Sequence, residues 1–261
     1  WLNLCAFETA NLCAFEAINL CAFEIVNICT FEAVNLFTFD DVNLFTFDDV
    51  SLSTFETEEI IEVPNSAGNH SSSFITENTE YVVAGTRFSV PVPQRDIPIN
   101  EYKGNFKGAL TFIEVEPEHG HMDIKFQIIM PGFNYDLSHP GRGKSHGWFF
   151  FTTYNTEEAN SLMEVNSSQN DKDFIAAINW KKIEEYVNNG GGTKMPANYA
   201  HNVYDESTHM ATTTMKKEVL TVDPTKVPGA VFFLPTPKSP HGCDVDPSGQ
   251  YIIGAGKLSA D

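Results

Sequence analysis

The sequence predicts an all-β fold, an array of short antiparallel strands with one short helix. Three observations lead there. From residue 59 onward, short apolar runs are separated by Gly, Pro, Asn and Asp turn signals. Only one stretch, Trp180 to Asn189, has helical spacing. Finally, the segment Lys238 to Leu258 joins His241, braced by Pro240 and Gly242, to a tight Asp246-Pro247-Ser248-Gly249 turn and an apolar strand that reaches Gly254. That is the grammar of a β-propeller blade pointing one imidazole toward a central axis.

Taken in order, Ile60 to Val63 reads as a strand stopped by Pro64-Asn65. Ser73 to Ile75, the turn Glu77 to Glu80, and Tyr81 to Gly85 form a hairpin, and Pro91, Pro93 and Pro98 mark a loop. Ala109 to Val115 is the next strand. Met122 to Ile128 alternates, with its apolar residues on one face. Gly147 to Thr153 is apolar throughout and reads as a strand buried on both sides. Phe174 to Trp180 is another strand. In the helix, Ile183, Tyr186 and Val187 form the apolar side among Lys181, Lys182, Glu184 and Glu185, and Gly190 to Gly192 stop it. Val231 to Leu234 and Tyr251 to Ile253 complete the set. The strands suffice for about three to four blades, an incomplete β-propeller, because closed propellers take roughly four to eight.

Residues 1–58 differ in kind. They form a tandem octapeptide with copies starting at Asn3, Asn11, Asn19, Asn27, Asn35 and Asn43, and a decayed copy at Ser51. An extended chain would put Leu, Phe and Val on both faces, and a helical stripe would drift because eight residues overshoot two turns. The tract therefore reads as a solenoid cap, as a disordered acidic and aromatic segment, or as a translated minisatellite beside a gene fragment. The domain division expected is 1–58 and 59–261.

The formal net charge is −19, and no Lys or Arg precedes Arg87. So acidic a surface repels nucleic-acid phosphates and anionic lipids, so neither is expected as a partner. No apolar run approaches the ~18 residues of a membrane span, and no basic-then-apolar leader opens the chain. The first residue is Trp, which fits a fragment or a processed product. Four of the five cysteines (Cys5, Cys13, Cys21, Cys29) repeat with the octapeptide, and Cys243 stands alone, so none has the close pairing of a thiolate metal site.

Chemistry is therefore sought among the eight histidines. His119 and His121 are spaced to share one strand face, but Pro117, Glu118 and Gly120 around them read as a turn. His201 and His209 fall in a polar stretch read as a loop. His139 and His146 flank the basic run Pro140 to Lys144, read as an exposed loop able to grip an anion. His70 and His241 differ, because each follows an approach of small residues that would open the inner strand of a blade, where imidazoles from different blades converge; the residues alone read equally as satisfied structural histidines. Imidazole suits copper, zinc, iron and nickel alike. No nucleophile elbow or dinucleotide fingerprint is present, and Gly143-Lys144-Ser145 lacks the first glycine and the helix of a phosphate loop.

Residues from about 59 to 261 resemble the propeller domain of nitrous-oxide reductases. The carriers are Val63-Pro64-Asn65 through His70, Thr79 to Phe88, Met210 to Met215 and, most specifically, Lys238 to Leu258. The resemblance implies a seven-bladed propeller around CuZ, a histidine-ligated four-copper sulfide cluster, followed by a cupredoxin domain carrying dinuclear CuA. It implies a periplasmic head-to-tail homodimer that takes electrons from a c-type cytochrome or cupredoxin and reduces nitrous oxide to dinitrogen and water. By position, His70 and His241 match two CuZ ligands. Tyr154, Glu157, Asp173 and Ser239 match the family's calcium site, where Ser239 stands at a position that is often Asn; oxygen donors of this kind suit a hard cation.

The departures carry expectations of their own. The octapeptide occupies the place of the family's upstream paired histidines, and the later cluster ligands and the CuA domain would lie beyond Asp261. Two histidines do not assemble a four-copper cluster, so the fragment alone is expected to be inactive. The alternative reading is a non-catalytic β-propeller binding module, stabilised by calcium.

Overall fold

The computed structural model describes residues 59–66, 74–93, 98, 105–116, 121–154, 173–205, 207–208, 210–236 and 240–256. The octapeptide tract lies outside them. The described residues form an all-β array with one α-helix, α1 (Trp180–Asn188).

The first sheet is built on an antiparallel meander of β2 (Phe74–Ile75), β3 (Tyr81–Gly85), β5 (Phe106–Glu116) and β6 (His121–Met130), with β4 (Val90–Pro91) pairing alongside β5. The second is a meander of β7 (Asn134–Pro140), β8 (Trp148–Tyr154), β9 (Phe174–Asn179) and β12 (Val231–Pro235). A hairpin of β13 (Pro240–Val245) and β14 (Ile252–Gly256) opens a third unit. In each unit the strand that comes first in sequence lies at the edge. These edge strands are neighbours, β2 packing on β7 and β7 on β13. Successive sheets with first strands side by side are the inner-strand arrangement of an incomplete propeller.

One feature breaks the simple meander. Between β9 and β12 the chain inserts α1 and the long hairpin β10 (Thr193–Tyr204) and β11 (Ala211–Val222). That hairpin joins the other sheet: β11 runs parallel to β6 through Thr221↔Gln127 and Val222↔Ile128. Strand β1 (Glu59–Ile61) then pairs with β10. The first sheet thus has eight strands, and its outer edge is covered by a part of the second unit, which hides backbone groups that would otherwise template aggregation.

The core explains why β8 is apolar throughout. Phe149 and Phe151 on one face join Tyr81, Leu110, Phe112, Phe126, Ile128 and Trp180 between the two sheets. Phe150 on the other face joins Ile175, Ala177, Cys243 and Val245 under the β13–β14 hairpin. Phe112 and Phe126 stack at 5.0 Å, and Tyr81 meets Trp180 edge-on at 5.4 Å. The helix starts where Asn179 caps it, its side-chain oxygen accepting from the Lys182 N–H at 3.0 Å. It ends at Gly190, whose φ of 87° is open to glycine, with Gly190 and Gly191 N–H groups returning to the Val187 and Tyr186 carbonyls.

Strand β6 departs from a simple buried-and-exposed alternation. Gln127, on its polar side, is fully buried. Its amide donates to the Pro64 carbonyl (2.8 Å) and to the Thr111 hydroxyl (2.6 Å), and it accepts from the Asn65 amide (3.0 Å). The segment after β1 lies over this face, so the glutamine is satisfied by protein rather than water.

Candidate functional site

His241 is the second residue of β13, at the start of an inner strand. It is exposed, and its carbonyl accepts from the Thr152 hydroxyl at 3.2 Å. That hydroxyl lies equally close to the Leu137 carbonyl, so β8 ties together the inner strands β7 and β13 beside the histidine. His70 lies outside the described residues, four positions before β2, the inner strand of the first unit. His241 thus opens the inner strand β13, beside β7. Among the described residues no group of three or more His, Cys, Asp or Glu side chains is placed to hold a metal. An exposed imidazole is a donor type that suits copper, among other metals.

Of the residues matched to calcium, the two described, Tyr154 and Asp173, lie by backbone at one end of the second sheet. Thr153 pairs with Phe174, which sets Tyr154 across from Asp173. Asn134, the first residue of β7, pairs with Tyr154. Pro235 pairs with Phe174, and the Thr236 N–H donates to the Asp173 carbonyl at 3.1 Å, so the chain leaves toward Ser239 from this same end. Asp173 is buried at 4 % exposure. Glu157 and Ser239 lie outside the described residues.

Three turns pack together at the opposite end of the inner strands. The basic run Pro140 to Lys144, expected as an exposed loop, keeps Gly143 and Lys144 exposed but lies at the centre of this cluster. His139 belongs to β7, and its Nε2 is 2.7 Å from the Arg142 guanidinium and 3.6 Å from the Asp244 carboxylate. The Gly143 N–H donates to the Glu77 carboxylate (2.6 Å), and His146 Nε2 lies 3.2 Å from Glu80. Lys144 donates to the Gln250 side chain at 3.2 Å. Arg142 thus meets the imidazole of β7, and Lys144 and His146 meet side chains of the two neighbouring turns. In the last turn Asp246 accepts from the backbone of Ser248, Gln250 and Tyr251 and from the Ser248 hydroxyl. The Ser248 hydroxyl first, and those N–H groups with it, hold its carboxyl down at about 2.

A second histidine cluster was not legible in the sequence. His201, expected in a polar loop, is a buried residue of β10, and His121 opens β6. Their rings stack with centroids 6.0 Å apart, and both face Glu59 of β1. Residues 59, 121 and 201 are too far apart in sequence for any spacing rule to join them; only the curl that brings β1 back to β6 does so. His119 and His209 lie outside the described residues.

Sheets of this order, with first strands adjacent and a histidine opening one of them, define a propeller-type scaffold suited to holding ligands at its axis. No family model matches the chain. The curated relatives do match, and the chain resembles nitrous-oxide reductases over about 77 % of its length. The nitrous-oxide reductase of Stutzerimonas stutzeri is 28 % identical over 210 residues, which cover 77 % of this chain and 28 % of that protein. Those of Pseudomonas fluorescens and Cupriavidus necator are each 26 % identical, over 214 and 219 residues, covering 77 % of this chain and 28 % and 29 % of theirs. The chain therefore spans less than a third of the length of these relatives.

Proposed function

We propose that this chain is part of a copper-dependent nitrous-oxide reductase, contributing two or more blades of the propeller that surrounds the CuZ cluster. The observation that carries the reading is the coincidence of the sequence match with the position of His241 at the start of an inner strand. His241 and His70 would each hold a copper. The cluster, when bound, would supply the electrons that reduce nitrous oxide to dinitrogen and water. The chain's own part is positioning: the Thr152 hydroxyl braces the His241 backbone against β7, and the buried faces of β8 keep the neighbouring strands from shifting.

Asp173 and Tyr154, with Glu157 and Ser239, would hold calcium at the end of the second sheet, where it would fix the segment leading into His241. The CuA domain, the electron donor (a c-type cytochrome or cupredoxin), the homodimer and the periplasmic location belong to the same proposal. Because the chain covers under a third of its relatives, we expect no turnover from these residues alone. Residues 59–261 would act as the propeller unit and 1–58 as a separate tract.

The test is copper content and nitrous-oxide uptake of the full-length protein that carries this sequence, compared with its His241→Ala variant. Loss of copper and of uptake together in a variant that still folds supports the reading. Full copper loading and uptake in the variant overturns it. A wild-type protein that binds calcium but neither copper nor nitrous oxide would favour the non-catalytic binding module.

A further inference from the structure

We propose that Glu59 is a proton-sensitive latch: its buried carboxylate, set against His121 and His201, fastens strand β1 across β6 and β10 and loosens as the His121 imidazole loses its charge. Strand β1 is three residues long and pairs only with β10 among the described strands, so backbone bonding alone holds it weakly. The Glu59 side chain is 4 % exposed. Its Oε2 is 2.6 Å from His121 Nδ1, and its Oε1 accepts from the Met122 N–H at 2.7 Å. His201 Nε2, also buried, lies 3.2 Å from Oε1 but off the line of a hydrogen bond.

No Lys or Arg is paired with this carboxylate among the described residues, so its counter-charge comes from imidazole. Imidazole is the side chain whose ordinary titration falls between pH 5 and 8. The surroundings reinforce the arrangement. Glu116 of β5 is the register partner of His121, and Asp123 follows on β6, so two further acids favour imidazolium. Lys216 of β11 spends its charge on Asp123 at 2.9 Å. Glu62, at the end of β1, adds another negative charge on the latch's own segment.

The hydrogen bond with Glu59 first, opposed by burial and helped by the fields of Glu59, Glu116 and Asp123, holds His121 above its ordinary 6.5. Burial pushes Glu59 upward, but the hydrogen bonds from His121 and the Met122 N–H, with His201 close by, outweigh it and leave the carboxyl below its ordinary 4.5. The raised histidine contributes fully below 6.5, and its contribution is lost as pH rises through its higher folded value. The lowered carboxyl contributes above 4.5, and its contribution is lost as pH falls through its lower folded value. The latch is therefore tightest in mildly acid solution and opens toward alkaline pH, where a neutral His121 retains the hydrogen bond without the charge.

Amide hydrogen exchange of the full chain at pH 6 and pH 8.5, corrected for intrinsic exchange, tests this. Protection of residues 59–62 and of Met122 is expected to fall about fivefold at the higher pH, while β8 is unchanged; Glu59→Gln should abolish the difference. Equal protection at both pH values, or the same pH dependence in Glu59→Gln, overturns the proposal. If that variant does not fold, an NMR titration of the wild-type imidazoles decides: His121 titrating above 6.5 supports the latch, and at or below it refutes it.

Discussion

Replacing Gln127 by leucine removes three hydrogen bonds at a fully buried position without changing side-chain volume greatly. The Pro64 carbonyl, the Thr111 hydroxyl and the Asn65 amide each lose a partner at 2.6–3.0 Å. Thr111 and Gln127 have no exposure and Asn65 only 1 %, so water does not replace what is lost. Each buried group left without its partner costs about 1–3 kcal/mol. The added apolar burial returns roughly 1–2 kcal/mol. The net loss is then about 3 kcal/mol, and for a domain of this size a melting temperature lower by about 6–12 °C. Scanning calorimetry of the full chain at pH 7 measures it. Gln127→Glu should be worse still, because a carboxylate would face the Pro64 carbonyl out of water. A drop under about 3 °C for the leucine variant, or glutamate tolerated better than leucine, would refute the reasoning.

Two further outcomes follow from the turns and from the face beneath the last hairpin. Gly249 has φ of 72°, and a Cβ there would sit 1.8 Å from the Arg142 carbonyl oxygen, so Gly249→Ala should cost more than the ~1–2 kcal/mol of the left-handed backbone alone. Gly190→Ala, at φ of 87° with open space around it, should cost only that backbone part; urea midpoints of the two variants compare them. Burial, with a smaller push from Asp244, raises the Cys243 thiol to about 12, so mass-spectrometric mapping at pH 8 should find Cys243 unalkylated in the folded chain and modified only in denaturant.

Where a strand is buried on one or both faces, its residues announced it. The hairpin β2–β3, the runs of β5, β8, β9 and β12, and the capped helix with its glycine stop all follow from apolar pattern and turn chemistry. The strands that escaped notice share a reason. Strand β11 presents Ala211, three threonines and Lys217 to solvent, and β10 carries Pro196 at a bulge. Neither alternates, because much of their surface contacts water and their pairing depends on a partner far away in sequence. Strand β7 had no reading of its own, since Asp136, Ser138 and His139 do not look like strand residues and only Pro140 fell in the basic loop. Of the candidate site, the histidine after Pro240 stood out because proline and glycine on either side dictate a local backbone. The Glu59 cluster could not, since its members are joined only by the curl of the first sheet.

The insertion of β10–β11 has a consequence for how the protein is made. A ribosome releases β2, β3, β5 and β6 first, yet β11, the strand that pairs with β6, arrives only after roughly eighty to ninety more residues of chain have emerged. Until then the nascent first blade exposes a bare rim, while the hairpin that will close it is still attached to an unfinished neighbour. Maturation of the two blades is in this way a joint event, and the interval before residue 222 is the period in which a chaperone would matter most.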